Sequence, residues 1–183
     1  MTKEEWFEKG TALGMLRKWE EATACFDAVI AIDPQHSETW LNRGIAQGML
    51  ERYEEAIASF DNVLAINSKD KDAWFGKGMA LLQLKKWKEA IACFDGVLQI
   101  DRKDNQSLLN KGIALGEMEK YKEAIRCFDA ALIIDPKDQE AWAYKGTALD
   151  LLGRRREARA CLKRARELVK EDLGGFGGGG RDG

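Results

Sequence analysis

Apolar residues recur along this chain at the spacing of amphipathic helices. Near the start, Trp6, Gly10 and Leu13 stand at positions i, i+4 and i+7. This spacing places them on one face of a helix, which we predict over about residues 3–16. The same spacing returns after a short polar interval and predicts a second helix over about residues 20–33. The apolar positions of this second helix are Ala22, Phe26 and Val29.

The helix pair recurs with a fixed period of 34 residues and without insertion or deletion. The glycines in this phase are Gly10, Gly44, Gly78, Gly112 and Gly146. The position four residues before each glycine holds Trp6, Trp40, Trp74, Leu108 and Trp142. The small position of the second helix holds Ala22, Ala56, Ala90, Ala124 and Ala158, and its large position holds Phe26, Phe60, Phe94, Phe128 and Leu162. Such a period indicates an array of equivalent units, which we place at residues 3–36, 37–70, 71–104, 105–138 and 139–172.

These positions resemble the tetratricopeptide repeat, whose pattern reads W-x2-L-G-x2-Y, then A-x3-F, then P. The resemblance covers residues 3–172, and Asp33-Pro34 and Asp135-Pro136 close two of the units. The chain departs from the family where a leucine usually precedes the glycine and a basic residue stands instead. This basic ladder consists of Lys9, Arg43, Lys77, Lys111 and Lys145. We expect its side chains to keep their stems on the core edge and their charges in water.

The resemblance implies an all-α fold, a right-handed α-solenoid of five helix-turn-helix repeats forming a single domain over residues 3–172. The first helix of each repeat (helix A) would line the concave side, and the second (helix B) the convex side. The fifth repeat loses its aromatic residues at Arg155 and Leu162, and its helix B is basic. We expect that helix to cap the array; the alternative is a docking patch for an acidic partner. The glycine-rich residues 173–183 are expected to be disordered.

Composition excludes several classes of partner. The chain has 29 basic and 31 acidic residues, so no global charge attracts it to nucleic acid or to a membrane. No apolar stretch approaches the ~18 residues that a membrane-spanning helix needs, and the first residues lack a hydrophobic secretory segment. We therefore expect a cytoplasmic protein.

The reactive side chains of the chain do not form a catalytic or metal-binding pattern. All cysteines occupy one position of the repeat, which holds Cys25, Cys93, Cys127 and Cys161, with Ser59 in the second repeat. Equivalent positions of neighbouring repeats lie roughly 10 Å apart, too far for a disulfide, so we expect small buried apolar side chains. His36 is expected to be a turn residue. No matched acid–base pair, phosphate loop or metal-ligand spacing occurs, which predicts a protein that is not an enzyme and needs no cofactor or metal.

A second stripe lies beside the core face of helix A. Phe7, Thr11 and Met15 are spaced four residues apart and share one side of the helix. In the tetratricopeptide family this side faces the concave groove, and asparagines there bind the ligand backbone. The groove residues predicted on this basis are Phe7, Thr11, Met15, Leu41, Asn42, Ile45, Met49, Phe75, Met79, Leu82, Leu109, Asn110 and Ile113. The alternative is that these side chains pack among neighbouring helices A. Gly14, Gly48 and Gly116 each cost about 1 kcal/mol relative to alanine, so either crowding or a ligand should account for them.

The groove residues also exclude one well-known ligand of the family. The grip on the acidic C-terminal tails of heat-shock chaperones needs lysines and an arginine beside asparagines. In the first three repeats only Asn42 matches that set, and no starting repeat supplies the cations. The sequence therefore predicts no binding of chaperone tails.

Taken together, the residues and the resemblance favour a protein–protein interaction module that holds a peptide or a helix in an apolar concave groove. The alternative is a self-assembling scaffold, a homo-oligomer formed through the groove or through the ends of the solenoid. RNA binding is disfavoured because the groove has no stripe of arginine and lysine for phosphate contacts.

Overall fold

The computed structural model describes residues 1–174 of the chain, with side chains described through residue 171. These residues form ten α-helices and no strand. The first six helices are α1 Lys3–Met15, α2 Trp19–Ile32, α3 Ser37–Met49, α4 Tyr53–Ile66, α5 Lys71–Gln83 and α6 Trp87–Ile100. The remaining four are α7 Asn105–Glu117, α8 Tyr121–Ile134, α9 Gln139–Leu151 and α10 Arg155–Gly174. The predicted helices of the first repeat are thus confirmed to within a residue at each end.

The helices are grouped in two compact units, Met1–Arg102 with α1 to α6 and Lys103–Gly183 with α7 to α10. Within each unit a helix A packs on its own helix B, and that helix B packs on the next helix A. Successive helices A touch only lightly, as for α3 with α5 and α7 with α9. The division into one domain over residues 3–172 stays a prediction.

Polar side chains define where the helices A begin. Thr2 and Glu5 form a capping box at the start of α1, in which each side chain binds the other's backbone N–H. Asp70, Asp104 and Asp138 cap α5, α7 and α9 by accepting a hydrogen bond from the third residue of the helix. These caps satisfy backbone donors that a helix start would otherwise leave without partners.

The periodic tryptophans tie each repeat to the turn before it. The Trp40 indole Nε1–H donates to the Pro34 carbonyl at 2.8 Å. Trp74 and Trp142 make the same bond across six residues, each at 3.0 Å. The hydrogen bond satisfies the indole N–H of a half-buried ring, which gives the tryptophan of the repeat a physical role.

The periodic glycines allow helix A to approach helix B closely. A Cβ atom at Gly10 would lie 2.7 Å from a ring carbon of Phe26. At Gly78 the corresponding distance to Phe94 is 2.8 Å, and at Gly146 the distance to Leu162 is 2.8 Å. Because real Cβ atoms do not approach so closely, the large side chain of helix B occupies the space that the glycine leaves.

The sequence suggested that the charges of the basic ladder extend into water. The structure instead shows ion pairs for several of them. Arg43, Lys77 and Lys145 each form an ion pair at 2.6 Å with an aspartate of the preceding helix B. The partners are Asp27, Asp61 and Asp129. Lys9 belongs to the first repeat, and its ammonium lies 5.2 Å from the ring centre of Trp6. Within the two units, Arg43, Lys77 and Lys145 therefore join consecutive repeats. This role requires the neighbouring repeat, so the sequence of one repeat does not reveal it.

The cysteines are buried and form no disulfide among the described residues, as the sequence predicted. Burial raises the pKa of Cys25 and Cys161, and it raises the pKa of Cys93 to about 11. These three thiols therefore stay protonated near neutral pH and are poor nucleophiles. This environment fits small core side chains.

One buried hydroxyl leads to a prediction about stability. Among the described side chains, the Ser107 hydroxyl is fully buried without a hydrogen-bond partner. The equivalent positions hold Ala73 and Ala141, which are also fully buried. Ser107→Ala is expected to raise the free energy of unfolding by about 1 kcal/mol, because it removes an unsatisfied hydroxyl. Urea denaturation followed by circular dichroism measures this, with Ala141→Ser as the reverse control that should destabilise. A loss of stability in Ser107→Ala would contradict the assignment.

The last helix differs from the other helices B. α10 spans 20 residues, whereas helices α2, α4, α6 and α8 span 14 each. It continues to Gly174, two residues into the segment that the sequence predicted to be disordered. Residues 175–183 of that predicted tail lie outside the described residues.

Candidate functional site

The groove residues of the first unit form a partly open surface on α1, α3 and α5. Met15 is 81% exposed, Ile45 46% and Met49 49%. The half-buried members are Phe7, Thr11, Leu41, Asn42, Phe75 and Met79. Leu82 is buried, so it belongs to the core of this unit rather than to an accessible surface.

Contacts between aromatic rings position the phenylalanine side chains of this surface. The ring centroids of Phe7 and Phe26 lie 6.3 Å apart, and those of Phe75 and Phe94 lie 5.9 Å apart. Each groove phenylalanine is therefore positioned by the buried phenylalanine of its own helix B. The Thr11 hydroxyl donates to the Phe7 carbonyl at 3.0 Å, so it serves its own helix.

His36 has a more definite position than the turn role predicted from the sequence. It stands at the N-cap of α3, and its Nδ1 lies 2.7 Å from the Thr39 hydroxyl oxygen. The edge of its ring contacts Phe7 at a centroid distance of 5.2 Å. The rings of Phe7 and His36 line a small cavity of about 210 Å³, together with Lys3, Glu4 and Glu8. The histidine thus helps to fix the first groove residue.

In the second unit a larger cavity of about 330 Å³ opens between α7 and α9. Its residues are Gly112, Ile113, Gly116, Glu117, Glu119, Tyr121, Phe128, Tyr144, Thr147, Ala148 and Leu151. The groove residue Ile113 is among them. Leu109 is buried instead, and the Asn110 side-chain amide donates to the Gln106 carbonyl of its own helix at 2.8 Å. The structure therefore places one of the three groove residues of this unit in the cavity.

The periodic stripe on helix A does not include the aromatic and acidic residues of this cavity. Tyr121 and Phe128 come from helix B, which the stripe on helix A does not include. Glu119 lies in the turn after α7 with a positive φ of 60°, a backbone conformation that non-glycine residues seldom adopt. Tyr144 occupies the same repeat position as the predicted groove residue Asn110. Comparing the repeats at this position could therefore have identified Tyr144.

The glycines of the stripe are not explained by packing. A Cβ atom at Gly48 or Gly116 would meet no heavy atom within 4 Å. At Gly14 it would contact only the Trp19 ring, at an ordinary 3.6 Å. Crowding between helices therefore does not account for the absence of a side chain at Gly48 and Gly116.

The described part of the chain contains no group of three or more histidine, cysteine, aspartate or glutamate side chains placed to hold a metal ion. No helix among the described residues is long and apolar enough to cross a membrane.

Comparisons with known proteins agree with the architecture. Three family models, each described as tetratricopeptide repeat, match residues 7–70, 44–110 and 106–138. No curated protein sequence matches the chain significantly. Among solved structures, MamA from Desulfovibrio magneticus RS-1 matches with a TM-score of 0.89 at 21% identity, covering 92% of this chain and 96% of that one. A second crystal structure of MamA gives a TM-score of 0.88 at 19% identity and covers 93% of each chain.

A further match is YrrB, described as a tetratricopeptide protein with an unusual peptide-binding site. It gives a TM-score of 0.80 at 20% identity and covers 92% of this chain and 87% of that one. At these identities the likeness is one of fold, and it confirms the predicted all-α solenoid class. Together with the periodic residues and the helix pairs, these matches show that the chain belongs to the tetratricopeptide repeat family.

Proposed function

We propose that this protein is a non-catalytic protein-interaction module that binds a peptide or a helix on its helix-A surface. The observation that supports this most strongly is the open apolar surface of α1, α3 and α5. Met15, Ile45 and Met49 stay exposed there while the core phenylalanines beneath are buried. A soluble protein that exposes neighbouring apolar side chains usually does so at a binding site.

The chemistry of this surface suits a peptide ligand. Methionine is flexible and polarizable, so it adapts to ligand side chains of different shape. The open space at Gly48 and Gly116 allows a ligand backbone to come close to the helix. The peptide-binding site described for YrrB shows that a protein of this fold can hold a peptide.

The ends of the array argue against a scaffold built by head-to-tail stacking. Asp27, Asp61 and Asp129 each pair with a basic residue of the following repeat. The same position in the last repeat holds Lys163. If a second copy of the chain continued the array, Lys163 would face Lys9 of that copy. Because these charges repel, continuation of this array by a second copy is disfavoured.

The buried cysteines form no disulfide among the described residues, which supports a reducing location, and we propose the cytoplasm. The absence of a cationic set on the groove residues supports a ligand other than the acidic tails of chaperones.

The proposal is tested by selecting ligands from a random-peptide display library and measuring their dissociation constants by fluorescence polarization. The variant Ile45→Glu, Ile113→Glu places one charge in the groove surface of each unit. It is expected to weaken binding at least about tenfold, because a buried carboxylate would have to be desolvated. Ile133→Glu is the matched control, since Ile133 is 83% exposed on helix B.

Circular dichroism establishes that each variant is folded. Equal affinity of the wild type and the groove variant would overturn the proposal. An equal loss in the control variant would place the site elsewhere. Light scattering over a dilution series gives the oligomeric state, and dissociation of a homo-oligomer at low concentration would favour the scaffold instead.

A further inference from the structure

An aromatic ledge forms one wall of the cavity between α7 and α9. The Tyr144 ring stacks on that of Phe128, with centroids 5.9 Å apart and planes at 18°. Phe128 is buried, whereas Tyr144 remains 42% exposed and lines the cavity. The stack therefore fixes the tyrosine ring and leaves part of it open. Ile113 and Leu151 extend the apolar lining, so this wall suits a flat or long side chain.

The floor of the cavity contains two glycines that differ in their surroundings. A Cβ atom at Gly112 would meet the ring of Phe128, so this glycine is required by packing. At Gly116 the same atom would meet nothing within 4 Å. Gly116 is the penultimate residue of α7, and the fold gives up as much as about 1 kcal/mol of helix stability there without any packing in return. Space for a ligand group accounts for that loss.

The rim of the cavity is negative. Glu117 and Glu119 line it, both are exposed, and neither has an ion-pair partner among residues 1–171. The described lining contains no lysine or arginine. In addition, α7 ends at Glu117 and α9 ends at Leu151, so two helix C-termini with their partial negative charge lie at this rim. Neither helix carries a basic residue in its last turn.

We propose that this cavity binds the arginine side chain of a peptide ligand. The aliphatic part of the arginine would lie along Ile113 and Leu151, and the planar guanidinium would stack on Tyr144. Its N–H groups would donate to the carboxylates of Glu117 and Glu119. The inference rests on the proposed peptide-binding function and specifies one position of the ligand.

Only this pair of helices A combines the aromatic ring with both carboxylates. The repeat position of Tyr144 holds Asn42, Gly76 and Asn110 in the three preceding repeats. The position of Glu119 holds Arg17, Glu51 and Lys85 earlier in the chain. Since two of those turns carry a cation, the preference for arginine is a property of this cavity and not of the repeat in general.

The test uses an arginine-containing peptide from the display selection and its analogue with citrulline, which has nearly the same shape and no charge. Replacing arginine by citrulline is expected to weaken binding to the wild type at least about tenfold. The protein variant Glu117→Gln, Glu119→Gln should bind the arginine peptide with a similar loss and should no longer distinguish the two peptides. Glu51→Gln, at the repeat position of Glu119, is the matched control and should bind like the wild type.

Several results would overturn the arginine assignment. One is a selection without enrichment of arginine, and another is equal affinity for the arginine and citrulline peptides. A lysine analogue that binds as tightly as the arginine peptide would also refute it, because lysine lacks the stacking surface. If Ile45→Glu, Ile113→Glu abolishes binding while Glu117→Gln, Glu119→Gln does not, the peptide-binding function stands and the arginine pocket is wrong. If neither variant affects binding, both proposals fail.

Discussion

Gly44→Ala is expected to lower the free energy of unfolding by about 2 kcal/mol, whereas Gly48→Ala on the same helix should raise it by about 1 kcal/mol. At Gly44 a Cβ atom would lie 2.7 Å from the Phe60 ring, which is buried. At Gly48 a Cβ atom would meet nothing within 4 Å. Alanine favours the helix at both positions, and the penultimate Gly48 gains no more from it than the interior Gly44, so a loss of stability at Gly44 measures the overpacking.

The Phe60 ring cannot easily yield to the added methyl group. A Cβ at Gly76, on the next helix A, would lie 2.6 Å from the same ring. The ring is therefore held between two glycine-bearing helices, and moving it away from one pushes it against the other. Overpacking of this kind costs about 1–3 kcal/mol, and the tight enclosure places the cost near the upper end.

Urea denaturation of the two variants, followed by circular dichroism, measures the difference. An equal gain of stability in both would mean that the periodic glycine is not required for close packing of helix A on helix B. That outcome would remove the physical reason given for the period of the chain.

Gln47→Leu alone is expected to lower the free energy of unfolding by about 1–3 kcal/mol, although leucine is the residue of the other repeats. Gln47 and Ser59 are both fully buried. The Ser59 hydroxyl donates to the Gln47 side-chain oxygen at 2.6 Å and accepts from Arg43 at 2.8 Å. The Gln47 amide donates to Glu55 at 3.1 Å. Replacing the glutamine therefore leaves a buried hydroxyl hydrogen without an acceptor.

The double variant Gln47→Leu, Ser59→Cys should recover most of that loss. It installs the leucine and cysteine that stand together in the other repeats, as at Leu81 and Cys93. We expect a coupling free energy of about 1–3 kcal/mol between the two substitutions in a double-mutant cycle. Leu81→Gln is the matched control in the third repeat and should destabilise, because no serine hydroxyl is present there to donate to the glutamine side-chain oxygen. Additive effects of the two substitutions would contradict the network.

The sequence predicted the elements of this fold well because each repeat carries its own period. The helix limits and the burial of the cysteines depend on local spacing. The partners of Arg43 and Lys77 lie in the adjacent repeat, so the pattern of a single repeat predicts solvated charges instead of the observed ion pairs. Gln47 and Ser59 replace the leucine and cysteine of the other repeats, so the sequence shows two departures from the repeat pattern. Only the structure shows that the two side chains contact each other.

The candidate site was less predictable for a related reason. Periodicity on helix A selects a stripe, but it does not say how deep each member lies. Leu82 and Leu109 follow the same spacing as Ile45 and Ile113, yet both are buried. The cavity of the second unit also includes Tyr121 and Phe128 from helix B and Glu119 from a turn. Residues of three kinds of element converge there, and a pattern read along one helix cannot show this.

The measurement that tests the central claim most directly is nuclear magnetic resonance mapping of a display-selected peptide on the isotopically labelled protein. We predict that the amides with the largest shifts lie in helices α1, α3, α5, α7 and α9, with Ile45 and Ile113 among them. Shifts concentrated in the helices B, or on α10 alone, would contradict a binding site on the helix-A surface.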